Sequence, residues 1–198
     1  MYLSLLIFIL YSMKIFFIIL CIVLLWIYLV YFLEKRYMGF GTILFIFLSM
    51  VTLYYGSNKD FYRLILFQLY LCCLGLQDYK TYYISKIWGV FSLILTVCFF
   101  DSIHLSGILF SFIASLMYFC KQDWIGSADI GILFVLGLIL GFERMFICVF
   151  IAIFIGLLFY VFSNKKLIPF ITCLCFGAYI SILKGFTIWY MFYGILAL

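Results

Sequence analysis

Two aspartates, Asp78 and Asp129, are the residues of this chain best placed to do chemistry. Each stands at the end of an apolar segment, where a carboxylate is costly to bury and is a functional candidate by default. One water held between two carboxyl groups can hydrolyse a peptide bond. One carboxyl must be ionised to take the water's proton, and the other protonated to donate to the carbonyl oxygen. Close spacing in a poorly hydrated site enforces that arrangement, because two like charges there resist ionising together. Such a pair titrates as a unit, so neither member is given a role alone. Asp129 follows Gly126, Ser127 and Ala128, small residues that let a substrate backbone approach. The reaction requires no metal and no organic cofactor.

The elements that must position this pair are membrane helices. The chain has 198 residues, 70% hydrophobic and 10% charged, with mean hydropathy +1.37. Soluble domains average about 45–50% apolar and about 25% charged residues, so the composition specifies a polytopic membrane protein. With one Pro and no break in composition, residues 1–198 read as a single transmembrane domain. A span needs about 20 apolar residues, and backbone in lipid must satisfy its own hydrogen bonds, so the spans are helices. Polar punctuation divides the chain into about eight, an all-α bundle. The expected spans are Ile15 to Leu33, Phe40 to Gly56, Phe61 to Gln77, Tyr82 to Phe100, Leu105 to Cys120, Asp129 to about Glu143, Met145 to Phe162, and one from after Lys166 to about Leu183. The apolar tail after Lys184 extends the last helix or lies in the interface. Gly137 and Gly141 form a small-x-x-x-small pattern that favours close helix approach.

Two spans separate Asp78 from Asp129, so both fall on one membrane face. That face carries Lys35, Arg36, Lys80, Lys86, Lys121, Lys165 and Lys166, against Lys59, Arg63, Arg144 and Lys184 on the other. The positive-inside rule then makes the aspartate face cytoplasmic. The net charge of +5 is spread over short loops, which argues for orientation in a bilayer and against nucleic-acid binding. The eight cysteines, Cys21, Cys72, Cys73, Cys98, Cys120, Cys148, Cys173 and Cys175, form no C-x-x-C pair and lie mostly in apolar runs. They read as small buried hydrophobes, not as zinc ligands or a disulfide framework.

Plainer readings stand beside the sharp one. An Asp at a helix N-terminus is a favoured cap, which accounts for Asp129 but not for Asp78 at a helix C-terminus. Asp60, Asp101 and Asp123 read as loop or cap residues, with Asp123 the strongest rival because it shares a loop with Asp129. His104 is a lone loop histidine on the opposite face, Glu143-Arg144 a loop pair, and Lys80 and Lys86 orientation charges. A small ion- or proton-coupled transporter, or a non-catalytic assembly or scaffold membrane protein, are the alternative functions. The transporter wants its carboxylates near the bilayer midplane.

Three segments, in order, resemble one family. Gly126-Ser127-Ala128-Asp129 resembles the G-x-G-D motif of intramembrane aspartyl proteases, within which the match is to the type IV prepilin leader peptidases. Gln77 to Ser85 is similar to the family's D-x-K-x-x-x-I-P-N stretch. Lys165-Lys166-Leu167-Ile168-Pro169-Phe170 resembles its K-x-I-P-F segment. The resemblance covers about residues 70–185 as a peptidase-like region. It implies a multi-pass cell-membrane aspartic endopeptidase that cleaves the basic leader of prepilin-like precursors, of type IV pilin or competence kind, at the cytoplasmic face. Asp78 and Asp129 would be its catalytic dyad, and a prepilin-like protein and membrane lipid its partners. Ala128 stands where the motif has its second Gly, Gly131 where Lys is usual, and Ser85 where Pro is usual. The C-x-x-C pairs of the family's zinc loop are absent, so N-methyltransferase activity is not carried over. Oligomeric state is not legible.

Overall fold

The computed structural model describes residues 2–32, 36–55, 60–85, 87–98, 104–121, 125–162 and 168–196. The backbones of Lys35, Lys59, Lys86, Asp101, Asp123, Lys165 and Lys166 lie outside them, as do the side chains of Arg36 and Cys98. The described chain is all-helical. It forms α1 (Tyr2–Phe32), α2 (Arg36–Tyr55), α3 (Phe61–Thr81), α4 (Ile87–Cys98), α5 (Ser106–Cys120), α6 (Ser127–Leu140), α7 (Phe142–Phe162) and α8 (Phe170–Leu196). Segments within α1, α2, α7 and α8 are long and apolar enough to cross a membrane: Tyr11–Tyr31, Tyr37–Tyr54, Phe142–Phe162 and Phe170–Gly194. α4, α5 and α6 are apolar but shorter. α3 has 21 residues, but Arg63, Gln68, Gln77, Asp78 and Lys80 dilute its hydropathy.

The tail after Lys184 continues α8, which runs 27 residues. The Glu143-Arg144 loop reading is corrected. Both residues lie in the first turn of α7, because Gly141 turns the chain in a single step at φ +79°. That conformation is open to glycine at no steric cost, so no loop is needed between α6 and α7. The fourth helix starts later than Tyr82 because Tyr82 itself is left-handed, at φ 52°. Its N–H bonds to Asp78 O at 2.9 Å and closes α3.

The molecule divides into two compact units, residues 1–73 and 74–198. In the first, Cys21, Leu25 and Leu29 make one buried stripe of α1 at helical spacing. The buried Gln68 of α3 is fully engaged. Its Nε2 donates to Phe45 O and Ser49 Oγ, both at 2.9 Å, and Thr52 Oγ1 lies 3.0 Å from its Oε1. A buried amide without those partners would be strongly unfavourable. Lys14, the charge inside α1, sits 5.0 Å from the centre of the Phe61 ring, a cation–π arrangement that offsets burial.

The second unit is assembled through glycine contacts. A Cβ at Gly107 of α5 would lie 2.4 Å from Phe134 O of α6, and one at Gly137 would lie 2.6 Å from Gly107 Cα. Only hydrogen fits between these backbones. Ser106 Oγ donates to Gly137 O at 2.7 Å, and His104 N to Leu138 O at 2.9 Å. Gly137 therefore does allow close approach, but its counterpart is Gly107, while Gly141 makes the turn. α7 and α8 pair the same way, with Gly177 against Cys148 O and the Ser181 hydroxyl donating to Arg144 O. These contacts fix α6 and α8, whose N-terminal ends carry the candidate site.

Candidate active site

Asp78 lies in the last turn of α3, three residues before its end, and is 5% exposed. Its neighbourhood is tied by the turn that follows. Thr81 Oγ1 sits 2.8 Å from Gln77 O and accepts the Tyr83 N–H at 3.3 Å. The Trp88 indole of α4 donates to Gln77 Oε1. The carboxylate itself meets α8. Thr172 N donates to Asp78 Oδ2 at 2.9 Å, and Thr172 Oγ1 lies 3.0 Å from the same oxygen. The hydroxyl is also 2.9 Å from Gly75 O. Thr172 can offer its amide because α8 begins at Phe170, just after Pro169, and the first amides of a helix have no partner within it.

Asp129 occupies the first turn of α6 and is partly exposed. Gly126 is the residue before that turn, with φ −77° and ψ 154°. Its N–H donates to Asp129 Oδ2 at 2.8 Å, and Asp129 N donates back to Gly126 O at 3.1 Å. The capping role expected of an Asp here is thus present. It does not exhaust the residue. A carboxylate at a helix N-terminus ordinarily has its charged form favoured, yet Asp129 is pushed up to about 6. Burial is the main cause, the Gly126 amide opposes it, and the charge of Asp78 adds to it. The Asp78 carboxyl is raised by burial too, against the Thr172 amide, the Thr172 hydroxyl and the Ile171 amide, which favour its ionised form. Both aspartates lie outside the four span-length segments.

The two carboxyls, 51 positions apart in sequence, are thus brought within electrostatic reach of each other. Ala128 lies inside α6, and Tyr82 is the one non-glycine residue with positive φ among those described. The methyl of Ala128 therefore meets no conformational penalty. A Cβ at Gly131 would meet nothing within 4 Å, so the position does not need glycine for space. His104 stands at the other end of α6, beside Gly141, remote from the pair along that helix. Thr172 was not singled out from the sequence. Its only signal is its place three residues after Pro169. The seven described cysteines are free thiols, all buried except Cys120. Among the described residues no group of three or more His, Cys, Asp or Glu is placed to hold a metal ion.

Residues 64–161 match the model of the type IV leader peptidase family, a stretch that contains both aspartates. The chain belongs to that family. No curated protein and no solved structure matches it. Membership makes this a leader peptidase-like protease with a prepilin-type substrate in general. Together with the four apolar helices it makes the chain a membrane protein.

Proposed function

We propose that this family member is an aspartic endopeptidase that removes the basic leader of a prepilin-like precursor at the cytoplasmic face of the cell membrane. Asp78 and Asp129 are its dyad, and one water is the nucleophile. The observation that carries this reading is the electrostatic coupling of two carboxyls from different helices, with Asp129 raised to about 6. A pair that shares one proton near neutral pH holds a base and an acid at once. The base takes a proton from water as its oxygen bonds to the scissile carbonyl carbon. The acid protonates the carbonyl oxygen. Collapse of the resulting diol breaks the C–N bond, with the proton returned to the leaving amine. The positions of both aspartates near helix ends also suit a leader arriving from the aqueous side better than a relay across the bilayer.

The test is co-expression with candidate pilin-like precursors, read by intact mass. Wild type should remove the leader, and Asp78→Asn and Asp129→Asn should leave it in place while still inserting. Near-wild-type processing by either variant would remove the dyad. An uncut precursor throughout, with insertion confirmed and several precursors tried, would favour the proton-coupled transporter instead.

A further inference from the structure

The two carboxyls are not equivalently held. Asp78 Oδ2 faces two donors from one residue, the amide and hydroxyl of Thr172, at 2.9 and 3.0 Å. Asp129 Oδ2 faces one, the Gly126 amide at 2.8 Å. Donors to a carboxylate favour its charged form, and charge-assisted bonds are the strong ones. Asp78 is only 5% exposed, so its charge depends on them.

We propose that Thr172 is a positioning residue that holds Asp78 as the ionised member of the pair and leaves the shared proton on Asp129. This rests on the peptidase reading above and adds to it a division of labour. Asp78 is then the base that takes the water's proton through Oδ1, and Asp129 the acid that donates to the carbonyl oxygen.

The hydroxyl of Thr172 also fits the other half of the cycle. It carries one proton and has two acceptors, Asp78 Oδ2 and Gly75 O at 2.9 Å. While Asp78 is ionised, the proton points to Oδ2. Once Asp78 has taken the water's proton on Oδ1, Oδ2 is still an acceptor, so the Thr172 amide stays bonded to it and the threonine proton is shared between Oδ2 and Gly75 O. A hydroxyl proton rotates to suit, so the threonine keeps an acceptor in either state. Asp129 of α6 and Cys173 of α8 are titratable groups tied electrostatically to Asp78. Lys80 follows on its own helix.

Thr172→Val keeps shape and amide but removes the hydroxyl, and Thr172→Ser restores it. The Asp78 titration is read alone, in the Asp129→Asn background, from the infrared carboxyl band across pH. Val should move the midpoint up by about one pH unit, the scale of one charge-assisted hydrogen bond, and Ser should return it. In the active protein the acid limb of the cleavage profile should shift upward with Val and return with Ser. A residue that only packs would lower the rate at every pH without moving the limb. An unmoved Asp78 midpoint in a folded Val variant overturns the proposal. Should Val not insert, Thr172→Ala serves in the same comparison. A wild type that cleaves nothing would end the peptidase reading, while the infrared midpoint still decides the role of Thr172.

Discussion

Asp129 caps its own helix by accepting the Gly126 N–H at 2.8 Å, a bond that commits one oxygen, Oδ2, of the carboxylate. The backbone of Gly126 is ordinary for any residue, at φ −77°. Space is what it supplies, since a Cβ there would lie 3.3 Å from Asp129 Oδ2. Gly126→Ala must displace that carboxylate by a few tenths of an ångström. Cleavage is expected to fall by roughly 3–10-fold, because misplacement near 1 Å costs about 100-fold. Rates measured beside an unchanged melting temperature check this.

Activity should depend on pH with a definite sign. In the proposed mechanism the pair works with one proton, and the member raised to about 6 loses it as pH rises through that value. Cleavage should therefore decline from about pH 6 towards 8. Asp78→Asn removes the charge that helps raise Asp129, so in that variant Asp129 should titrate lower, read by its infrared carboxyl band. A cleavage profile that rises steadily through this range would contradict the assignment.

Stability carries the same signature. A carboxyl whose pKa is raised on folding contributes stability that is fully present below its unfolded value, about 3.9, and lost as pH rises through its folded value. Both Asp78 and Asp129 are raised. The melting temperature should therefore be higher at pH 5 than at pH 7.5. Asp129→Asn should flatten the slope, as a thermal melt in detergent at the two pH values would register.

The α5–α6 contact leaves no room for a methyl group. Gly137→Ala brings a Cβ to 2.6 Å from Gly107 Cα, and forced separation of packed elements costs about 1–3 kcal/mol. A lowered melting temperature is expected for Gly137→Ala and for Gly107→Ala. Gly131→Ala should do the reverse, gaining about 0.5–1 kcal/mol, since its Cβ meets nothing and glycine weakens a helix interior.

The aspartates were legible because a charge among apolar residues stands out, and charges at span boundaries divide the chain into helices. Asp78 and Asp129 stood out for that reason, and so did the eight helices of the described residues. Thr172 was not legible. A threonine near the start of an apolar helix is chemically unremarkable in sequence, and its partner, Asp78, is one that only folding brings near. Gly137 was half legible: periodicity marked it as a contact, but its counterpart sits on another helix, at Gly107. The Glu143-Arg144 step misled because polar residues usually mark loops, whereas Gly141 turns so tightly that α7 begins at once.

The bond between Asp78 and Thr172 joins residues 94 positions apart. Synthesis at about 5–20 residues per second separates their emergence by roughly 5 to 20 s. Through that interval the last turn of α3 carries its carboxyl without the donors that favour charge, and a neutral acid enters an apolar environment more readily than an anion. The donors arrive with α8. A nascent chain stalled before Thr172 would therefore hold both aspartates without the donors to Asp78, so that under the proposed reading hydrolytic competence waits for α8.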